Sequence, residues 1–123
     1  MKNKVLIIDD VPETREFIRF VLEQAGYSVD EAEDGRQGLQ KAQREPFDLI
    51  ITDLAMPGMD GFTLVKQLRT SSAMGDTKII ISTAHGKLKD MFEVGKKSGV
   101  QYFIEKPFMA EELIEKVEKV LGK

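Results

Sequence analysis

Apolar and polar positions along the chain follow two rhythms in turn. Short aliphatic runs, "VLII" at 5–8, "LIIT" at 49–52 and "IIIS" at 79–82, are nearly unbroken. A strand wetted on one face alternates apolar with polar residues, so unbroken runs predict strands buried on both faces of a parallel sheet. The five predicted strands cover Lys4–Ile8, Ser28–Ala32, Asp48–Thr52, Lys78–Ser82 and Gln101–Ile104. Between them the apolar period lengthens to that of a helix. Phe17, Val21 and Ala25 recur at every fourth position, with Gly26 available as a C-terminal stop. Gly35–Arg44 offers Leu39 and Ala42, and Gly61–Arg69 offers Phe62, Val65 and Leu68. In Lys87–Ser98 a short stripe of Leu88, Met91, Phe92 and Val94 stands among lysines. The last helix puts Leu113, Val117, Val120 and Leu121 on one stripe and turns Glu111, Glu115, Glu118 and Lys119 outward. A strand–helix unit repeated five times predicts an α/β fold: a doubly wound, five-stranded parallel sheet with right-handed crossovers and helices on both faces. No linker or internal repeat divides the chain, so residues 1–123 are expected to form a single domain.

Composition narrows the function. The chain has 123 residues, a net charge of −3 and no cysteine. The missing basic field disfavours direct binding of nucleic acid. The missing cysteines exclude disulfides, thiolate metal sites and cysteine nucleophiles. No apolar run approaches the roughly 18–20 residues that span a bilayer. The opening "MKNKVLIIDD" lacks the long apolar stretch of a secretory signal, so the expected location is cytoplasmic and away from membranes.

In an open parallel sheet, ligands bind outside the carboxyl ends of the strands. Those ends carry Asp9 and Asp10, Asp53, Ser82 and Thr83, and after the fifth strand Lys106 and Pro107. Each has a structural reading when taken alone. Asp9 or Asp10 can cap the helix that Pro12 opens, and Asp53 can initiate the turn "MPG". Thr83 can be structural and Lys106 a solvated charge. Together, three carboxylates, a hydroxyl and an ammonium on one rim imply chemistry. Clustered carboxylates raise one another's proton affinity unless a cation lies among them. A hard divalent ion suits them: Mg²⁺, or Mn²⁺ in its place, takes oxygen ligands and keeps several waters. An aspartate oxygen beside such an ion can attack phosphorus, with Lys106 compensating charge on the transferred group. This accounts for the abrupt end of "DLIITDLAMPGMDG": the apolar run holds Asp53, and the turn at Pro57 and Gly58 leaves its carboxylate uncovered.

"VLIIDD", "DLIITDLAMPGMDG", "IIISTA" and "EKPF", in this order and spacing, resemble the receiver domain of two-component response regulators, over Lys4 to about Leu121. The resemblance implies the flavodoxin- or CheY-like fold with strand order 2-1-3-4-5. It implies that Asp53 is the phosphoacceptor, charged by a histidine kinase or a histidine phosphotransfer protein. Asp10 then matches a direct Mg²⁺ ligand, Asp9 an acid acting through a metal-bound water, and Ala55 the backbone carbonyl that completes the set. Thr83 matches the hydroxyl that moves toward the phosphoryl oxygens, and Lys106 the lysine that pairs with them. The Lys106–Pro107 bond is usually cis in the family, and an X–Pro amide makes that inexpensive. Phe103 matches the aromatic switch residue, with Tyr102 on the opposite face. Phosphorylation would draw in Thr83 and free space for Phe103. The surface of the fourth helix, fifth strand and fifth helix would then change for a downstream protein target.

Some positions depart from the pattern. Ala55 offers only its carbonyl. His85, the only histidine, borders the site two residues past Thr83 and is read as solvated. Met109 stands where Ser, Thr or Asp would cap the last helix, so that helix start is expected to fray. Lys87, Lys89, Lys96 and Lys97 form either part of a partner face or a solvated helix face. The chain ends at Lys123 just past the last helix. Output is therefore expected through docking or onward phosphate transfer if the protein is whole, and through a missing effector if it is an excised domain.

Three rivals compete with the signalling, non-enzymatic reading. A metal-dependent phosphatase with an aspartyl nucleophile needs an acid two residues beyond it, where Ala55 stands. A flavodoxin-like cofactor binder needs a phosphate-cradling loop where the chain has "DDVPE". A non-phosphorylated adaptor pseudo-receiver would not need the full set of acids.

Overall fold

A computed structural model describes residues 3–70, 76–84, 86, 100 and 102–123. Among the described residues the elements are, in chain order, β1 (Lys4–Ile8), α1 (Pro12–Gln24), β2 (Ser28–Ala32), α2 (Gly35–Arg44), β3 (Leu49–Asp53), α3 (Gly61–Arg69), β4 (Lys78–Thr83), β5 (Tyr102–Glu105) and α4 (Ala110–Leu121). The strands form one parallel sheet in the order β2-β1-β3-β4-β5. Both faces of the sheet are covered, as its unbroken aliphatic runs require. Leu6, Ile8, Ile50, Ile79, Ile81 and Phe103 point to the side of Ala42, Leu64, Val65 and Leu68, from α2 and α3. Val5, Ile7, Leu49, Ile51, Ile80 and Ile104 point to the other, against Ile18 and Leu22 of α1 and Leu113 and Val117 of α4. Each fully buried aliphatic side chain contributes about 1.5–3 kcal/mol. The two half-cores therefore hold the strand ends in a rigid frame.

Local contacts explain the spacing of the layers. A Cβ on Gly38 would lie 2.3 Å from Ile8 Cδ1, so glycine lets α2 approach β1 this closely without displacing Ile8. Asp34 caps α2 through its carboxylate, which accepts the Gln37 N–H at 2.8 Å.

The pattern-based reading needs three adjustments. The buried stripe of α1 is Ile18, Val21 and Leu22, whereas Phe17 and Ala25 are exposed. The period was right and the phase was one residue off, because Phe17 serves a contact outside the core: its ring centroid lies 6.1 Å from that of Phe108. Next, β3, β4 and β5 each end one residue later than expected, since Asp53 pairs with Ser82 and Thr83 with Glu105, and β3 begins at Leu49 instead of Asp48. Lastly, α4 has a partial substitute for its missing cap: Glu112 Oε1 accepts the Met109 N–H at 3.2 Å. The expected helix over Lys87–Ser98 and its lysines, together with His85 and Gln101, lies outside the described residues.

Candidate functional site: an acidic crevice at the strand ends

The carboxyl ends of β1 and β3 bring Asp9 and Asp53 to one crevice, and the segment after β5 adds a cation. Asp9 is 2 % exposed, and the Asp53 side chain 12 %. Lys106 Nζ lies 3.1 Å from Asp9 Oδ2 and 3.3 Å from Asp53 Oδ1. Asp10, exposed at the mouth, completes a cluster in which one carboxylate oxygen of Asp9, Asp10 and Asp53 lies within 4.8 Å of each of the others.

Asp9 is held from three sides. Its Oδ1 accepts the Val11 N–H at 2.9 Å, so it also anchors the entry to α1, whose N-cap position offers no side-chain acceptor. Its Oδ2 accepts from Lys106. Its backbone carbonyl accepts from Arg15 at 2.6 Å, and that guanidinium is tied to Glu31 of β2 at 3.2 Å. The sequence reading gave no role to Arg15. Its signal was present, since it stands one helical turn into α1 on the side facing the end of β1.

Asp53 is positioned by the ladder itself. The Leu54 N–H donates to the Ser82 carbonyl at 2.9 Å, and the Gly61 N–H donates to the Leu54 carbonyl at 2.8 Å. A Cβ on Gly61 would sit 2.9 Å from the Asp53 carbonyl oxygen, so the return of the chain past the strand end requires glycine there. Gly58, at φ +83°, makes the left-handed turn in between. Burial pushes the Asp53 carboxyl above its ordinary value of 3.8; Lys106 opposes this, and the charges of Asp9 and Asp10 add to it. Ala55 stands exposed two residues further on.

Two hydroxyls at the end of β4, Ser82 Oγ and Thr83 Oγ1, are buried and have no hydrogen-bond partner. Thr83 shares a face of the sheet with Ile81 and Phe103. Phe103 is 2 % exposed and packs edge-on against Phe62, with ring centroids 6.4 Å apart. Tyr102 packs with the opposite half-core, as expected. The Lys106–Pro107 bond is cis.

The site suits a hard cation. Its donors are all carboxylate oxygens, grouped closely enough to share one ion, and an oxygen-only set selects Mg²⁺ or Mn²⁺ over softer metals. Burial and mutual repulsion of the acids would be relieved by that charge.

The fold and the crevice define a doubly wound α/β protein with an acidic ligand site at the carboxyl ends of its strands. Residues 5–118 match the response regulator receiver domain, and the chain belongs to that family. Similar proteins include the DNA-binding dual master transcriptional regulator RpaA of Synechocystis, 37 % identical over 96 % of this chain and 48 % of RpaA. The transcriptional regulatory protein ResD of Bacillus subtilis is 36 % identical over 98 % of this chain and 48 % of ResD. The chain thus spans about half the length of the curated relatives it matches. Among solved structures, the chemotaxis protein CheY4 of Vibrio cholerae superposes with a TM-score of 0.91 at 37 % identity, covering 98 % of this chain and 99 % of that one. The receiver domain of sensor histidine kinase PA1611 of Pseudomonas aeruginosa, with a magnesium ion coordinated in its active-site cleft, gives 0.88 at 27 % identity, covering all of both chains. Receiver domains are signalling domains of two-component systems. They generally bind Mg²⁺ in an acidic pocket and interact with histidine kinases or phosphotransfer proteins. Among the described residues, no helix is long and apolar enough to cross a membrane.

Proposed function

We propose that this chain is a single receiver unit, not an enzyme acting on a separate substrate, and that Asp53 is its phosphoacceptor. Asp9, Asp10, Asp53 and the backbone carbonyl of Ala55 would hold Mg²⁺ or Mn²⁺, which supplies charge compensation for the incoming phosphoryl group. An Asp53 carboxylate oxygen attacks the phosphorus of a phosphohistidine on a histidine kinase or phosphotransfer protein. The P–N bond breaks, its electron pair returns to the imidazole, and an aspartyl phosphate remains. Lys106, already within 3.3 Å of Asp53, neutralises the transferred oxygens. The observation that carries this reading is the meeting of Asp9, Asp53 and Lys106 at the strand ends, where β4 also ends in a buried hydroxyl, Thr83 Oγ1, that has no partner.

That orphan motivates the switch. A buried hydroxyl without a partner costs about 1–3 kcal/mol, which a phosphoryl oxygen on Asp53 would recover by accepting its hydrogen bond. Phe103, on the same face, then follows Thr83. It borders a groove walled by Glu112, Glu115, Lys116 and Lys119 of α4, which gives its movement a charged surface to act on. A downstream protein reads that surface. On the other side of the crevice, an open groove between α1 and the segment after β5 is walled by Phe17, Pro107 and Phe108 and ends at Lys106. It offers the phosphodonor an apolar seat beside the reacting atoms. The chain's net charge of −3 fits an output through protein contact and not through direct nucleic-acid binding. The proposed location is the cytoplasm, where the phosphodonor is made.

Incubation with acetyl phosphate or phosphoramidate, with and without Mg²⁺, followed by intact-mass measurement, tests the chemistry. The expected product is one phosphoryl adduct that requires Mg²⁺, is stable in acid and labile in base, and disappears in Asp53→Asn. Turnover of a small phosphate ester would instead favour an aspartyl-nucleophile phosphatase.

A further inference from the structure

Ser82 stands beside Asp53 in the β3–β4 ladder, and its hydroxyl is buried without a hydrogen-bond partner. Registered neighbours in a parallel sheet point to the same face, and successive residues along a strand alternate. Asp53 shares its face with Leu49 and Ile51, and Ser82 shares that same face with Ile80. Asp9 continues the face of Val5 and Ile7, and Lys106 that of Ile104. Four polar side chains thus project from one side of the sheet at its carboxyl end. Lys106 already touches both Asp9 and Asp53, and the fourth is the unpaired serine, 1 % exposed. Thr83, one residue on, projects from the opposite face, so the two orphan hydroxyls address the crevice from different sides.

We propose that Ser82 is a positioning residue for Asp53, whose hydroxyl donates to the carboxyl oxygen of Asp53 that does not carry the phosphoryl group. This inference rests on Asp53 being the phosphoacceptor. Adjacent strands lie about 4.8 Å apart, so a turn of the serine about χ1 brings Oγ within hydrogen-bond reach of the neighbouring carboxylate. In the resting state Lys106 occupies Asp53 Oδ1, and the serine stays unpaired. Once Lys106 turns to the phosphoryl oxygens, an Asp53 oxygen needs a new donor, and Ser82 is the buried one next to it.

The consequence falls on the lifetime of the aspartyl phosphate. In hydrolysis, the oxygen of a water molecule attacks phosphorus and the bond from phosphorus to the Asp53 oxygen breaks. Its electron pair returns to the carboxylate, and the water proton leaves with inorganic phosphate or solvent. A hydroxyl donating to that carboxylate stabilises the charge it regains, so Ser82 speeds the loss of phosphate. One net hydrogen bond corresponds to a change of about three- to tenfold in rate.

The test compares wild type with Ser82→Ala. Both are labelled with phosphoramidate and Mg²⁺, the donor is removed, and decay of the adduct is followed by intact mass. Thermal melting of both unlabelled proteins is measured alongside. Ser82→Ala is expected to melt at or above the wild-type temperature, because it deletes an unsatisfied buried hydroxyl. It is expected to hold its phosphoryl group about three- to tenfold longer. An unchanged or shortened half-life would overturn the role of Ser82 while leaving Asp53 as phosphoacceptor. A lowered melting temperature would make Ser82 a structural residue and overturn the role as well. If wild type takes no Mg²⁺-dependent label at all, the phosphoacceptor reading itself fails.

Discussion

The ammonium of Lys106 lies 3.1 Å from Oδ2 of Asp9, a residue 97 positions earlier in the chain. That one contact ties the segment after β5 to the end of β1 across the two strands between them, β3 and β4, and it stands beside the Asp53 carboxylate. The same aspartate anchors the start of α1 through its other oxygen. The contacts of Asp9 are thus divided between the two oxygens of a single carboxyl group; the N-cap of α1 is Val11, which offers no side-chain acceptor, so Asp9 steadies the approach to the helix without capping it.

Burial raises the Asp53 pKa above that of the unfolded chain, so the folded state holds the proton more tightly. In the window between the ordinary value of 3.8 and the raised one, stability falls as pH rises, and at neutral pH the ionised carboxylate is a net cost. Asp53→Asn is therefore expected to melt higher than wild type at pH 7, with the gap closing as pH falls below 4. Melting curves across pH, in the absence of divalent ions, check this; equal melting temperatures at pH 7 would contradict it.

A cation that relieves the crevice binds only the folded chain and stabilises it by mass action. Adding Mg²⁺ at about 100 times its dissociation constant is expected to add about 2.7 kcal/mol of stability, reversibly on chelation. Asp10→Asn should abolish most of that gain while leaving the metal-free melting temperature close to wild type, since Asp10 is exposed. Denaturant titrations with and without Mg²⁺ measure both quantities.

Arg15 reaches the Asp9 carbonyl at 2.6 Å and shares Glu31 with Arg19. Removing this support with Arg15→Met is expected to weaken Mg²⁺ affinity about tenfold, the usual scale for groups that orient a metal ligand from behind. Arg15→Lys should recover part of it. Calorimetric Mg²⁺ titration decides, and wild-type affinity in Arg15→Met would assign the arginine to the α1–β2 packing alone.

Gly38→Ala forces a methyl group to within 2.3 Å of Ile8 Cδ1. Overpacking of this kind costs about 1–3 kcal/mol, even though alanine is the better helix former. A chemical-denaturation midpoint lower than wild type is expected, and a higher one would show that Ile8 can move aside.

Thr83→Ala removes the second orphan hydroxyl. It is expected to leave Mg²⁺ binding unchanged and to uncouple Phe103 from Asp53. Aromatic proton resonances of Phe103 and Phe62 should shift on phosphorylation of wild type and stay still in the variant. Matching shifts in both proteins would argue against the proposed switch.

Local rules made most of the architecture legible. Unbroken aliphatic runs can satisfy a chain of this length only as buried parallel strands, and Gly26, at φ +96°, ends α1 where glycine permits the left-handed turn. The phase of α1 was read wrongly because Phe17 is as apolar as Ile18. Only the neighbouring Phe108 shows that one ring lies outside the core. The later ends of β3, β4 and β5 depend on partner strands and are invisible to each strand alone.

By itself the sequence determined, to within one residue, where the strands end, because the period of apolar burial is a property of each segment, and it determined that the acids fall there. Tertiary structure alone decided how those ends meet. The order of the strands brings Lys106 onto Asp9 and Asp53, and register sets Ser82 beside Asp53 and leaves two hydroxyls without partners. Distances between residues far apart in the chain come from how two half-cores pack on one sheet, and no local pattern encodes that packing.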